Sequence, residues 1–314
     1  MNIKTTIAKE EVLQFQETPT RTLASKLLKE NPTVYMDFED ARNAVRRARR
    51  GKRMKINPFD ALPEGLRDFV DWEPYCIQEQ VGLIISDLHA PYYNKRALIT
   101  ALEYAKNIGI SFILFMGDCM DFHSVSFWDK DPRNRDFQKE IDLAQDIFDS
   151  IRQTFQDVAM YYLLGNHEER LERYLRVKAP ELLGYRALDM SEIIDARYYD
   201  MKVIDQKRIV KIGDLNCVHG HEFGRSISNP VNAARGLYLR GKETAICGHH
   251  HHTSEHTEKS MTNKIVSCWS IGCMCDLRPE YLPMNKWNHG FGIVIRTDDG
   301  FQVLNKKIIN GKVY

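Results

Sequence analysis

The stretch VGLIISDLH, residues 81–89, runs from an unbroken apolar segment straight into an aspartate and a histidine. An apolar run this short, bounded by polar residues, predicts a strand buried on both faces, the kind that occurs in sheets covered by helices. Outward from it the rhythm repeats. NKRALITALEYAKN, SFILFM, DFQKEIDLAQDIFDSIRQTF and VAMYYLL follow in turn, alternating helical spacing with short apolar runs as βαβ units do. Farther on, KRIVKIG, LNCVHG, ETAICG, KIVSCWSIG, FGIVIR and FQVLNKKI are richer in strands, so two packed sheets are expected and the class is α/β.

Ligand-type residues directly follow these strands. Besides SDLH (86–89) there are GDCMD (117–121), GNHEE (165–169), VHGH (218–221) and GHHHH (248–252). In α/β folds the loops at strand ends converge on a crevice, and a rigid sheet fixes what they carry. Each glycine before such a residue permits a tight turn or a close backbone approach. Asp, Asn and His offer oxygen and nitrogen donors suited to Mn, Fe, Zn or Ni rather than to a thiolate-bound metal. Taken singly, each motif is an ordinary turn; jointly they describe a metal site.

The ordered set D-x-H, G-D-x-x-D, G-N-H-E, H-G-H and G-H-x-H resembles the calcineurin-like metallophosphoesterase superfamily over residues 81–297, including its phage-encoded members. The resemblance implies a double β-sheet sandwich flanked by helices, with two divalent transition-metal ions, manganese foremost, at one edge. It implies Asp87, His89 and His251 on one metal, Asn166, His219 and His249 on the other, and Asp118 bridging them. A carboxylate suits that position because its two oxygens can hold two cations and offset their repulsion. His167 is then the general acid or transition-state stabiliser, and Asp121 orients a ligand histidine. In an extended loop, alternation turns His249 and His251 one way and His250 and His252 another.

Other residues are candidates of a softer kind. Arg170, His123 and His221 are potential substrate contacts. For Arg170, as for Arg173, an ion pair with Glu169 or Glu172 is the ordinary alternative. Cys268, Cys273 and Cys275, in SCWSIGCMCD, lack the paired spacing of a zinc ribbon and read as buried small residues.

The chain has 314 residues, 43% hydrophobic and 28% charged, with a net charge of +1. Seven cysteines without a framework suggest reduced thiols and a cytoplasmic setting, and neither a secretory leader nor a membrane span is evident. Charge is nevertheless uneven. ARNAVRRARRGKRMK, residues 41–55, holds eight cations and no acid, so Arg46, Arg47, Arg49, Arg50, Lys52 and Arg53 are candidate nucleic-acid contacts. A solvated helix face is the alternative. Residues 1–74 are expected to form a small helical unit, loosely helix-turn-helix-like, plus a proline-rich connection, and 75–314 the metallophosphoesterase domain.

Three functions follow from these readings. Phosphodiester hydrolysis in nucleic acid, steered by the basic segment, is the first. Phosphomonoester hydrolysis, including that of protein serine/threonine phosphatases, is the second; those relatives carry D-R-G at the second motif, where this chain has Asp121-Phe122-His123. An inactive assembly module, with the N-terminal helices mediating homo-oligomerisation, is the third, and intact ligand motifs argue against it. No membrane partner is expected.

Overall fold

Three helices come first: α1 (Ile3–Gln14), α2 (Thr20–Glu30) and α3 (Phe38–Arg49). They meet through small side chains, Ala8, Ala24, Ala41, Ala44 and Ala48, packed around Leu23, Leu27, Tyr35 and Val45. Alanine at these positions lets helices approach closely. Asp37 caps α3 by accepting the Asp40 amide at 2.7 Å, and the helix runs from Glu39 and Asp40 in its first turn to Arg46, Arg47 and Arg49 in its last. That polarity matches the helix dipole. The connection Asn31–Asp37 is longer than the three- or four-residue turn of a helix-turn-helix.

The computed structural model describes residues 3–50, 72–127, 136–205, 208–227 and 231–314, with no side-chain description for 225–227. The chain divides into two compact units, Met1–Phe69 and Val70–Tyr314. Among the described residues no helix is long and apolar enough to cross a membrane.

In the second unit, β1 (Tyr75–Ile77), β2 (Val81–Ile85), α4 (Lys95–Ile108), β3 (Phe112–Met116), α5 (Phe137–Thr154), β4 (Ala159–Leu163), α6 (Glu169–Lys178), α7 (Met190–Ile193) and β5 (Met201–Ile204) come first. They are followed by β6 (Val210–Ile212), β7 (Leu215–Val218), α8 (Ala233–Gly241), β8 (Ala245–Cys247), β9 (Ser254–Lys259), β10 (Ile265–Ser270), β11 (His289–Thr297), β12 (Gly300–Ile309) and β13 (Lys312–Val313). One sheet has the order β13-β12-β11-β2-β3-β4-β5, the other β1-β6-β7-β8-β10-β9. Strands β2 to β5 pair in parallel, as do β7, β8 and β10.

Alternation along the central strands shows why their sequences are apolar throughout. Ile84, Phe112, Leu114 and Met116 face Cys217 and Ile246 of the other sheet and Ile271 just beyond β10. Their neighbours Leu83, Ile85, Ile113 and Phe115 pack against Ala97, Ala101, Phe148 and Ile151 from α4 and α5. The six-stranded sheet is covered on its outer side by Ala234 and Leu237 of α8. Helix, sheet, sheet and helix therefore stack as four layers, the α/β sandwich expected from the sequence. Strand β9, SEHTEK, was not expected: it is a polar edge strand, with inward and exposed residues alternating and no apolar run to mark it.

Candidate metal centre

Five turns meet at the end of this sandwich, and their backbones are unusual. Asp87, His89, Asp118, His249 and His251 all have positive φ, from 48° to 63°. Left-handed backbone is costly for residues other than glycine, and a cluster of such residues marks a site whose surroundings hold them in place. The holding contacts are visible. The Asp87 amide donates to the Gly117 carbonyl and the His89 amide to the Asp118 carbonyl, both at 3.0 Å, which ties the turn after β2 to the turn after β3. At Gly117 and Gly165, close approach requires glycine: a Cβ would lie 2.4 Å from His219 Nδ1 at the first and 2.2 Å from Asp118 Oδ1 at the second.

Glu168 is the principal staple and has no role in the sequence reading beyond its place in GNHEE. Buried between the turns, its carboxylate accepts the amides of Asp118 at 3.0 Å, Met120 at 3.2 Å and Gly165 at 2.8 Å, and the Tyr162 hydroxyl at 2.6 Å. Four donors on one carboxylate join the second motif to the third.

The donor atoms converge in groups. His219 Nε2 lies 3.2 Å from Asp118 Oδ2, and His249 completes a cluster with them. On the other side His251 Nε2 is 3.2 Å from Asp87 Oδ1 and 3.2 Å from His89 Nε2, which is itself 3.8 Å from Asp87 Oδ1 and 3.9 Å from Asp118 Oδ2. The far nitrogens of two rings are already committed: His219 Nδ1 faces the Met116 carbonyl at 2.8 Å, and His89 Nδ1 faces Asp121 Oδ1 at 3.2 Å. Each of these rings therefore turns its Nε2 lone pair inward. Asp87 Oδ1, Asn166 Oδ1 and His219 Nε2 are buried without a hydrogen-bond partner. Acceptors packed against acceptors in a dry site repel unless a proton or a cation lies among them. The residues present thus fit divalent metal.

Charge tells the same story. Burial alone would raise Asp87 and Asp118, yet both are held below the usual carboxylate range, Asp87 chiefly by the charge of His251 and Asp118 by His167 and His219. Burial would lower His251, but Asp87 outweighs it and pushes the ring up to about 9.

His167 stands beside these clusters. Its amide donates to Asp118 Oδ1 at 2.8 Å, and its Nε2 lies 3.7 Å from Asp118 Oδ2. Nδ1 faces Asp121, with the carbonyl at 3.0 Å and Oδ1 at 3.1 Å. Arg170 donates to the Asp121 carbonyl at 2.7 Å and holds Nη2 2.7 Å from His167 Nε2. Asp121 therefore serves two histidines, His89 and His167. Arg170 is tied to this pair rather than to Glu169 or Glu172.

The remaining candidates separate. His221 adjoins the centre, with its ring 5.3 Å from that of His219 and Nε2 3.1 Å from Glu169. His123 lies in a short turn with a buried, unpartnered Nε2 and joins none of the metal-type clusters among the described residues. Arg173 stacks over Phe127 at 4.7 Å. In the N-terminal unit Arg46, Arg47 and Arg50 are exposed, whereas Arg49 donates to Thr20 Oγ1 at 2.8 Å and to the Thr18 carbonyl, bracing the start of α2. Lys52 and Arg53 lie outside the described residues.

Two readings are refined by the structure. His249 and His251 each join a metal-type cluster among the described residues and His250 and His252 do not, but the loop is not extended: His249 and His251 are left-handed, and His250 and His252 bury unpartnered Nε2 atoms. Cys275 is not merely a small buried residue: its Sγ lies 3.8 Å from His251 Nδ1 and clusters with His89 and His251. Its C-x-C spacing from Cys273 hides this, because its partner is supplied by another turn.

The chain belongs to the family described as calcineurin-like phosphoesterase, whose model matches residues 83–269. It is thereby a metal-dependent phosphoric ester hydrolase of a family that works through a dinuclear centre. The Gene 54 protein of Mycobacterium phage L5 is 24% identical over 232 residues, 70% of this chain and 90% of that protein. Among solved structures, Vacuolar Protein Sorting 29 of Cryptosporidium parvum has 14% identity and a TM-score of 0.41, covering 75% of this chain and 95% of its own. A single mutant of Vps29 from Entamoeba histolytica has 15% identity and a TM-score of 0.39, covering 74% and 96%.

Proposed function

We propose that the protein hydrolyses phosphodiester bonds in nucleic acid. Asp87, His89 and His251 would hold one divalent ion, Asn166, His219 and His249 the other, and Asp118 both. Two such ions supply activation of the nucleophile and neutralisation of charge on phosphate oxygens. Around them, Asp121 fixes the rings of His89 and His167 through their Nδ1 atoms. Exchange of Arg170 for substrate at His167 Nε2 leaves that nitrogen to carry a proton toward a leaving oxygen and the guanidinium free to pair with phosphate.

The observation that carries the diester reading is Phe122. At the position where protein phosphatases of the superfamily bear arginine, this side chain is fully buried and stacks on Phe137 at 5.5 Å. A dianionic monoester loses one phosphate-binding cation there, and a monoanionic diester needs it less. The exposed arginines of α3 add a surface suited to polyanions. Arg170 favours the second reading, a phosphomonoesterase, because it supplies a cation beside His167.

Hydrolysis of bis-(p-nitrophenyl) phosphate, p-nitrophenyl phosphate, single- and double-stranded DNA and RNA in Mn²⁺ tests the choice. Faster turnover of the diester and cleavage of nucleic acid are expected. A preference for the monoester, with nucleic acid intact, would reverse the assignment.

A further inference from the structure

The loop between β10 and β11, residues 271–288, carries aromatic groups that the metal centre does not use. Trp287 sets its ring against the His251 imidazole, with centroids 4.1 Å apart at 62°. Tyr281 stands beside Trp287, at 6.4 Å and 65°. Tyr281 is 78% exposed. The two rings therefore stand at the mouth of the site.

The loop is also fixed. Asn285 Nδ2 donates to the carbonyls of Leu277 at 2.9 Å and Leu282 at 2.8 Å, and the Trp287 amide donates back to Asn285 Oδ1 at 2.9 Å. The Asp276 amide donates to the Tyr92 carbonyl at 2.8 Å, which ties the start of the segment to the turn after β2. An exposed Tyr281 ring and a half-buried Trp287 ring on a pinned backbone are preorganised: little further ordering is needed when a flat partner arrives. Among phosphoric esters, the nucleotide is the one that places a planar aromatic face one sugar away from phosphorus. Stacking on aromatic side chains is how sequence-tolerant single-strand binders hold such a face.

We infer that Tyr281 and Trp287 form a stacking platform for the nucleobase next to the scissile phosphate. This rests on the nucleic-acid reading above and sharpens it to unpaired strands, since a base within a duplex has its faces covered.

The test compares two single-stranded substrates of equal length in Mn²⁺, an oligothymidylate and an oligomer of abasic residues. Stacking of one base gives the wild-type protein a kcat/KM about 5- to 150-fold higher on the base-bearing strand. Tyr281→Ala and Tyr281→Leu bring this ratio toward one, whereas Tyr281→Phe retains most of it. Trp287→Ala lowers it as well. Because each ratio is taken on a single protein, a variant that merely disturbs His251 loses rate on both substrates and keeps its ratio. Equal cleavage of both strands by the wild type, or an unchanged ratio in Tyr281→Ala, overturns the platform and leaves the nuclease reading standing. If neither strand is cleaved while bis-(p-nitrophenyl) phosphate is turned over, the nucleic-acid reading falls, and the platform with it.

Discussion

The two donor clusters that share Asp118 rest on different supports. His219 is held through Nδ1 by the Met116 carbonyl, a main-chain atom of β3 that no substitution deletes. His89 is held by the Asp121 carboxylate, and His251 by the Cys275 thiol and the Trp287 ring, all of them side chains. In one half the His219 ring is thus fixed by the fold. The other is open to tuning by sequence, and it is also the half that adjoins Arg170, His167 and the aromatic loop.

The largest expected effect comes from the residue common to both halves. Asp118→Asn removes the charge that lies between the clusters, and diesterase activity is expected to fall about 10²- to 10³-fold, the scale of losing a principal electrostatic element. Activity within tenfold of wild type would show that the halves do not depend on a shared carboxylate.

Asp121→Asn separates the halves. Loss of a carboxylate behind a ligand histidine costs about 10- to 100-fold in metal affinity. A manganese titration is expected to show that loss at one ion, with the other changed by only a few-fold. Equal weakening of both would contradict the division of supports.

Arg46, Arg47 and Arg50 test the other unit of the chain. Replacing all three by Glu should make log affinity for single-stranded DNA less steeply dependent on log salt, by up to about 0.7 per phosphate contact removed. An unchanged slope would make the basic helix a solvated face only.

A further effect, on stability rather than on activity or binding, concerns Glu140, buried on α5, whose carboxylate accepts the Phe122 amide beneath the Asp121 turn. Burial pushes its pKa from the ordinary 4.5 up to about 8, partly offset by that amide. The folded protein therefore keeps a proton that the unfolded chain loses between about pH 4.5 and 8. Stability falls as pH rises through that window, by roughly 1.4 kcal/mol per pKa unit at most. In thermal melts Glu140→Gln should gain on the wild type as pH rises from 5 to 8. Parallel curves would place no ionisation there.

Much of this was legible in the sequence because glycines and ligand-type residues recur at the ends of apolar runs: SDLH, GDCMD, GNHEE, VHGH and GHHHH. What escaped did so for physical reasons. Strand β9 lies at a sheet edge and is polar, so it lacks the pattern that marked its neighbours. Cys275 meets His251 from another turn, 24 residues away, and no local spacing reports that contact. The left-handed backbones of His249 and His251 were not legible either, although these two and not His250 or His252 join the clusters. Glu168 looked like one motif letter among others, although four donors depend on it.

On the function proposed above, seven side chains from five turns would enclose a pair of cations. Counting metal per chain by mass spectrometry after equilibrium dialysis against manganese tests it directly. Two tightly held ions in the wild type, and fewer in Asp118→Asn, are expected; a folded wild-type protein that retains none would contradict the account.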